Sequence, residues 1–258
     1  MTDDAYYFDL LKKEFEQMQH VHDGMPVSGA VFPEPGSSLI GDDQRTDPYH
    51  LSHVARLHLS VASDQLKALE KLIMVAARLP AFGAYPLIRS AIENGATALW
   101  LLKPASRKER ATRRLRLLAA GAGHRANFIA AAPKLTDNSS RQMQLDEFVA
   151  LGADYGIERK AIVTKATMTD ILTEVDTYTN DQLTILAAWQ ITSGVTHGQE
   201  WAIHTLLTHE IKDDTGHVTE ANLLAGFDKV SWVLGCATSV IHPAFDLLIQ
   251  RGTRHTGS

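Results

Sequence analysis

A stripe of polar side chains lies in the segment from Leu183 to Leu207, whose only formally charged residue at neutral pH is a glutamate. Its members are spaced three, four, three and four residues apart, which places them on one face of a helix. Such groups can exchange protons with a substrate, bind a polar ligand, or bond to neighbouring helices and buried water. This polar stripe consists of Gln190, Ser193, His197, Glu200 and His204.

The helix that carries the polar stripe is predicted to begin at an Asn180 cap and to reach about Glu210. Because apolar residues occupy the rest of its circumference, we expect it to be long, central and buried. Gly194 and Gly198 lie beside the stripe. Glycine inside a helix costs about 1 kcal/mol relative to alanine, so the two glycines indicate close approach by another helix or by a ligand. The stripe is then either a polar cavity or a set of groups satisfied by neighbouring helices.

A second unusual pair is Arg89 and Glu93, the only charged residues before Lys103 on a predicted helix that starts near Phe82. Their spacing of four residues permits an ion pair. Burying such a pair is often neutral or unfavourable for stability, so its presence on an apolar helix indicates a specific structural or functional role. We expect this helix to supply partners for the polar stripe, with His197 within hydrogen-bonding or water-bridged reach of it.

A run of cations opens the next predicted helix, which begins at the capping box formed by Ser106 and Glu109 and reaches about Ala132. Positive charge is unfavourable there because the N-terminus of a helix is the positive end of its dipole. Acidic side chains of the same protein, an anionic ligand or RNA phosphates would compensate the charge, and a solvated face is the simplest alternative. The cations are Arg107, Lys108, Arg110, Arg113, Arg114 and Arg116.

Farther along this helix, His124 and Asn127 continue the face that carries Arg113 and Arg116. The helix can therefore bring an imidazole and guanidinium groups to one place. A histidine beside glycines also serves purely structural roles, so both interpretations stay open.

His197, Glu200 and His204 offer two imidazoles and a carboxylate, which are common metal ligands. Their spacing matches neither His-Glu-x-x-His nor the Glu-x-x-His pairs of di-iron bundles. We therefore expect no metal site and no cofactor, and a metal-binding helical-bundle enzyme is the second alternative function. The sequence also contains no glycine-rich phosphate loop and no Gly-x-Ser-x-Gly elbow.

Capping signals and helical periodicity recur along the whole chain, with no convincing strand. The proline- and glycine-rich residues 23–47 are predicted to form an irregular connection over the body, and Asp213 begins a predicted turn. The predicted fold class is all-α, a multi-helix bundle around a long buried central helix, in one domain of residues 1–258 with an N-terminal helix and wrap (1–47) and a bundle (48–258). Predicted helices cover residues 2–22, 48–79, 82–103, 106–132, a segment from an Asp137 or Asn138 cap to 151, 167–175, 180–210 and 219–251.

Composition excludes disorder, since 45% of the residues are hydrophobic and 21% are charged. The net charge of −5 gives no general attraction to nucleic acid, so RNA or another anionic partner would have to bind locally, through residues 107–116. The single cysteine, Cys236, cannot form an intramolecular disulfide. The N-terminus does not resemble a signal peptide, and residues 183–207 carry too many polar groups for lipid. We expect a cytoplasmic protein without membrane association.

Three features together resemble a prokaryotic family of helical proteins of unknown function: Arg89-x-x-x-Glu93 after Pro86, a basic helix, and Ser193-x-x-x-His197 followed by glycine. The resemblance covers roughly residues 50–205. That family is loosely similar to the HEPN helical bundles, many of which are RNA-cleaving toxins or defence effectors that dimerise to form a composite site. The resemblance therefore implies an RNA substrate, a homodimer and a role in a defence or toxin system.

By this resemblance, His197 would act as general acid or base, Arg89 or an arginine of residues 107–116 would stabilise the phosphorane, and Ser193 would orient the substrate. The HEPN signature is an arginine, then four to six intervening residues, then a histidine. In this chain Gln190 stands where an arginine would precede His197, and the literal match, Arg45 to His50, straddles a predicted helix start.

These observations predict a helical binding or interaction protein of unknown ligand. A HEPN-like, metal-independent ribonuclease is the alternative, and catalysis would then fall to His197, Arg89, Glu93 and Ser193. In a binding protein, Gln190, Glu200 and His204 would instead contact the ligand.

Overall fold

The computed structural model describes residues 3–25, 32–132, 134–135, 140–176, 184–214 and 219–254. These residues form eleven α-helices and one two-stranded hairpin, so the predicted all-α multi-helix bundle is confirmed. In chain order the elements are α1 (Asp3–Gly24), α2 (Ser38–Thr46), α3 (Leu51–Glu70, prolonged by a π-helical turn Lys71–Val75), α4 (Ala84–Leu102), α5 (Arg107–Ala131), α6 (Arg141–Ala153), α7 (Arg159–Val163), α8 (Met168–Val175), α9 (Ile185–Thr196), α10 (Glu200–Leu206), β1 (Leu207–Asp214), β2 (Thr219–Ala225) and α11 (Phe227–Gly252).

The central helix of the bundle is α4, which packs against α3, α8, α9 and α11. Apolar and small residues cover most of its circumference, and Trp100 and Tyr85 are fully buried on it. Gly95 permits the close contact with α11, because a Cβ at this position would lie 2.6 Å from Cγ1 of Ile241. A second, smaller core joins α5, α6 and α7. The buried central helix is therefore α4, and the prediction that residues 180–210 form it is wrong.

The predicted caps of α5 and α8 are confirmed. The Ser106 hydroxyl accepts a hydrogen bond from the backbone N–H of Glu109. Thr167 and Asp170 bond to each other reciprocally, each accepting from the other's backbone N–H. Side-chain oxygens at these positions satisfy amide groups that the first helical turn leaves without partners, which is why these helices begin where they do.

Besides α2, which Ser37 caps, two other helices begin at caps that we did not predict. The hydroxyl of Ser140 caps α6 and that of Thr184 caps α9. The predicted caps Asp137, Asn138 and Asn180 lie outside the described residues.

The prediction of one continuous helix to Glu210 is wrong because α9 ends in a glycine turn. Gly198 has a φ of +69°, a conformation that side chains with a Cβ rarely adopt. The N–H of Gly198 donates to the carbonyl of Val195 at 3.1 Å, and that of Gln199 donates to the carbonyl of Gly194 at 2.8 Å. These two bonds form a Schellman motif, which ends α9 and turns the chain into α10.

After α10 the chain leaves the helical bundle as an antiparallel hairpin, which the sequence analysis did not predict. Leu207 pairs with Ala225 at its base, and Ile211 pairs with Ala221 farther out. The register shifts between Ile211 and Asp213, so Lys212 is the extra residue of a β-bulge. Part of the predicted turn that begins at Asp213 lies outside the described residues.

The connection predicted as irregular over residues 23–47 contains a helix, α2, which Ser37 caps. The prediction of an irregular connection is wrong for this part, because Asp42 forms an ion pair with Arg110 of α5 and Asp43 accepts a hydrogen bond from the hydroxyl of Ser52 on α3. These contacts hold α2 against the bundle. By length and composition, α11 could cross a bilayer, but 56% of its most apolar window is buried inside the protein.

Candidate functional site

The predicted ion pair between Arg89 and Glu93 is confirmed, with Nη2 of Arg89 2.9 Å from Oε1 of Glu93. A residue that the sequence analysis missed, Trp189 of α9, donates from Nε1 to the same carboxylate oxygen at 2.7 Å. The Arg89 guanidinium carbon also lies 5.9 Å from the centre of the Trp189 ring. Among the described residues, no partner bonds to the buried Nε of Arg89. Trp189 therefore provides the hydrogen bond that links the Arg89 and Glu93 ion pair to α9.

The prediction that the polar stripe points into the bundle is wrong. Gln190, His197, Glu200 and His204 are exposed, and Ser193 is half-buried. The face of α9 that packs on the core carries instead Ile185, Ala188, Ile191, Thr192 and Val195.

Gln190 is exposed because it lies off the face of α9 that packs on the core. For His197, Glu200 and His204 the physical reason is the chain reversal at Gly198. α10 packs back onto α9. A Cβ added at Gly194 would lie only 2.5 Å from the Cβ of Ala202 on α10. The predicted close approach at Gly194 is thus confirmed, and the approaching element is α10. Because the polar groups of the stripe face water, they need no partners from the bundle.

The stripe does not assemble the metal arrangement considered from the sequence. In the described ranges, no three His, Cys, Asp or Glu side chains come close enough to hold a metal ion. His204 instead lies beside His209 of β1, with Nδ1 and Nε2 2.8 Å apart.

The deepest of the predicted cations, Arg110, forms a buried ion pair with Asp42 of α2. Arg110 is 2% exposed and Asp42 is fully buried. The Nε and Nη2 atoms of Arg110 donate to the two carboxylate oxygens, each at 2.9 Å. Arg107 approaches the same carboxylate at 3.4 Å. Burial raises the pKa of Asp42, against the lowering effect of Arg110, Arg107 and Arg251.

Other arginines of α5 are also partnered by the chain itself. Arg113 forms ion pairs with Glu109 at 3.0 Å and with Glu174 of α8 at 2.8 Å. Arg114 donates to the carbonyl of Tyr49 at 2.9 Å, and burial lowers its pKa to about 10. Of the three partners considered for the basic helix, the acidic side chains of the same protein account for Arg110 and Arg113. Among the six predicted cations, Arg107 and Lys108 are the exposed ones.

The literal Arg45 to His50 match does not bring its two side chains together. The Arg45 guanidinium carbon lies 5.0 Å from the centre of the Tyr155 ring. His50 bonds to Asp47, with Nε2 3.0 Å from Oδ1. It lines a cavity between α2 and α3 whose lining residues do not include Arg45.

A basic pocket of about 220 Å³ lies between α5, α6 and the connection after α7. Ala119, Leu145 and Ile162 form part of its apolar wall. The described residues that line it include no carboxylate. Its polar lining residues are Arg116, His124, Asn127, Arg141, Thr164 and Lys165.

Each of these cations is positioned by a different element. The Nε of Arg116 donates to the carbonyl of Thr164 at 3.1 Å, and its guanidinium carbon lies 5.5 Å from the centre of the Trp100 ring. Arg141 is the first residue of α6, where the helix dipole disfavours a cation unless an anion lies nearby. Lys165 follows Thr164 in the connection to α8.

Arg116 acts electrostatically on Asp170, whose carboxylate is already bonded to Thr167 in the cap of α8. Hydrogen bonds from the side chain and the backbone of Thr167, together with the charge of Arg116, hold the pKa of Asp170 below its usual value. The prediction that Arg116, His124 and Asn127 share one place is confirmed, whereas Arg113 turns towards Glu174 instead. Arg141 and Lys165 were missed because they come from other elements and carry no local signal.

Comparison of the chain with models of protein families, with curated proteins and with solved structures finds no match. The resemblance to an uncharacterised prokaryotic family and to HEPN bundles therefore stays a prediction.

Proposed function

We propose that this protein is a helical binding protein whose basic pocket takes a small anionic ligand. One observation carries the proposal: Arg116, Arg141, Lys165 and the His124 imidazole line one pocket, and no carboxylate is among its described lining residues. Clustered cations repel one another, so an anion bound among them gains favourable interactions with all of them.

The chemistry of the lining groups favours a phosphate or a similar oxyanion. A guanidinium presents parallel N–H donors that match two oxygens of such a group, and the lysine ammonium adds a point charge. The side-chain amide of Asn127 and an N–H of the His124 ring add donors among the same lining residues. The N-terminus of α6, which begins at Arg141, contributes the positive end of its dipole.

The size of the pocket limits the ligand. A cavity of about 220 Å³ is smaller than the roughly 300–1,000 Å³ that drug-sized ligands occupy. It suits a phosphate group with a small organic portion better than a stacked nucleobase. RNA is accordingly a less suitable ligand for this pocket than a small phosphate ester.

Phosphate binding is expected to depend on Arg141 and Lys165. Each charge-assisted hydrogen bond contributes about 1.5–3 kcal/mol, so replacing either residue by glutamine is expected to weaken binding about tenfold or more. Isothermal titration with inorganic phosphate and pyrophosphate measures this, and higher salt is expected to weaken binding further. Arg116 is left unchanged because it also bonds to Thr164 and packs on Trp100.

The matched control is Arg159→Gln on α7, which removes an exposed arginine paired with Asp146 rather than a lining residue. It is expected to bind phosphate like the unchanged protein. Equal affinity in the Arg141, Lys165 and Arg159 variants, or no measurable binding by the unchanged protein, would contradict the proposed function.

We also expect no rapid metal-independent RNA cleavage. We expect this because His197 is exposed and because Gln190 stands where the ribonuclease signature has an arginine. Among the described residues, no hydrogen bond or ion pair joins the His197 side chain to Arg89. Incubation of purified protein with labelled RNA in the presence of a chelator checks this. Rapid cleavage that His197→Ala abolishes would instead support the ribonuclease alternative.

A further inference from the structure

A pocket of about 630 Å³ lies between α1 and α11. Its volume is within the roughly 300–1,000 Å³ that small-molecule sites occupy. Leu10 and Cys236 form part of its apolar wall, and the Cys236 thiol is neutral because burial raises its pKa to about 12. Among the described residues, none lines both this pocket and the basic pocket. It is therefore a separate candidate for a bound small molecule.

Three aromatic side chains line this pocket: Tyr6 and Tyr7 of α1 and Trp232 of α11. Tyr6 is 48% exposed and Trp232 is 36% exposed, so the core does not fully cover either ring. The rings of Tyr6 and Tyr7 meet edge to face, with centres 5.2 Å apart and planes at 71°. The face of an aromatic ring is negative and attracts cations, that of tryptophan most strongly. The aromatic lining therefore favours a positively charged ligand that also has apolar surface.

The carboxylate of Glu14 adds negative charge to the same pocket. Glu14 is half-buried, and its Oε2 accepts a hydrogen bond from the Thr238 hydroxyl at 2.6 Å. In the described ranges, no lysine or arginine forms an ion pair with Glu14. The other lining carboxylate, Asp228, has Lys229 beside it, with Nζ 3.6 Å from Oδ2. Glu14 is thus the carboxylate that a cationic ligand can neutralise, and its partial burial strengthens the attraction.

A glycine in the wall of the pocket is not required by packing. Gly235 lies inside α11, where glycine is unfavourable compared with alanine. A Cβ added at Gly235 would have no atom within 4 Å, whereas at Gly95 of α4 it would lie 2.6 Å from Ile241. No neighbour among the described residues therefore demands a glycine here. A larger side chain would instead occupy the pocket.

We propose that the pocket between α1 and α11 binds an organic cation of the quaternary ammonium type, with its alkyl groups on the aromatic rings and its charge near Glu14. The rings favour such a ligand over an inorganic cation, because they attract alkyl surface and charge together. A small metal ion would need several oxygen ligands in place of its hydration shell. The proposal is independent of the basic pocket and of anion binding, since the two pockets have separate linings.

Choline and its uncharged isostere dimethylbutanol, in which carbon replaces the quaternary nitrogen, separate charge from shape. The unchanged protein is expected to bind choline at least about fivefold more tightly, because the rings and Glu14 attract only the charged probe. Isothermal titration measures both affinities. Higher salt is expected to weaken choline binding, since it screens the charge of Glu14.

Two substitutions remove the proposed contacts one at a time. Trp232→Ala and Glu14→Gln are each expected to weaken choline binding at least about threefold. Glu14→Gln retains an acceptor for Thr238, and it is expected to leave binding of dimethylbutanol unchanged. The control is Trp201→Ala, which truncates a tryptophan that is 54% exposed and does not line the pocket. It is expected to bind choline like the unchanged protein.

Filling the pocket is the third test. Gly235→Leu is expected to weaken choline binding at least about tenfold while the fold is kept, because leucine favours a helix more than glycine does. Gly121→Leu on α5 is the matched control, since a Cβ there also has no atom within 4 Å and Gly121 lines neither this pocket nor the basic pocket. Circular dichroism confirms that each variant is folded.

The proposal would be overturned if the unchanged protein bound no choline, or bound choline and dimethylbutanol equally well. It would also be overturned if folded Glu14→Gln and Gly235→Leu proteins bound choline as tightly as the Trp201 and Gly121 controls. None of these results bears on phosphate binding, which a separate titration measures.

Discussion

Replacing Asp42 by alanine is expected to lower the free energy of unfolding by about 3–5 kcal/mol, which is a large part of the stability of an ordinary domain. The reason lies in what the substitution leaves behind. Arg110 is 2% exposed and would lose the carboxylate that accepts from its Nε and Nη2. An uncompensated charge would then remain buried between α2 and α5.

Urea unfolding followed by circular dichroism measures this loss, and a lower midpoint with an unchanged slope is expected. The matched control is Asp146→Ala, which breaks the exposed ion pair with Arg159 and is expected to change stability little. The double variant Asp42→Leu with Arg110→Met removes both charges and is expected to recover much of the loss. A loss in the Asp42 variant no greater than in the Asp146 control would show that the buried pair does not stabilise the fold.

Trp100→Ala is expected to cost about 3–5 kcal/mol, because truncating a fully buried tryptophan leaves a large cavity in the core. The same substitution is expected to weaken phosphate binding. The Arg113 and Arg116 guanidinium carbons lie 4.7 Å and 5.5 Å from the centre of the Trp100 ring, and Arg116 lines the basic pocket. The Nε1 of Trp100 also donates to the Glu174 carboxylate at 3.0 Å, and this hydrogen bond links α4 to α8.

Two substitutions separate these roles. Trp100→Phe retains an aromatic ring but loses the hydrogen bond to Glu174, so a loss of about 1 kcal/mol and nearly unchanged phosphate affinity are expected. Trp201→Ala truncates a tryptophan that is 54% exposed, and it is expected to change stability little. Thermal and urea unfolding give the stabilities, and isothermal titration gives the affinities. Unchanged affinity in a folded Trp100→Ala protein would show that the ring does not position Arg116.

Much of the helical structure is predictable from the sequence because its signals are local. Ser106 and the pair Thr167 and Asp170 cap their helices as expected, since a cap acts on amides three residues away. Arg89 and Glu93 form the expected ion pair because a spacing of four residues brings side chains together on any helix.

Whether a predicted polar face belongs to a site depends on tertiary structure, unlike the caps and the ion pair. Helical periodicity shows that the polar stripe shares a face, but it does not show whether that face meets the core or the solvent. The turn at Gly198 folds α10 back onto α9, and His197 is exposed as a result.

The partners of the basic helix likewise come from remote segments. The sequence determined that cations cluster at the start of α5, where the helix dipole requires a compensating negative charge. Only the tertiary structure decided that Asp42 neutralises Arg110, and that Arg116 turns to a pocket shared with Arg141 and Lys165. The physical reason is that local periodicity fixes neighbours within one helix, whereas packing between helices fixes which distant residues meet.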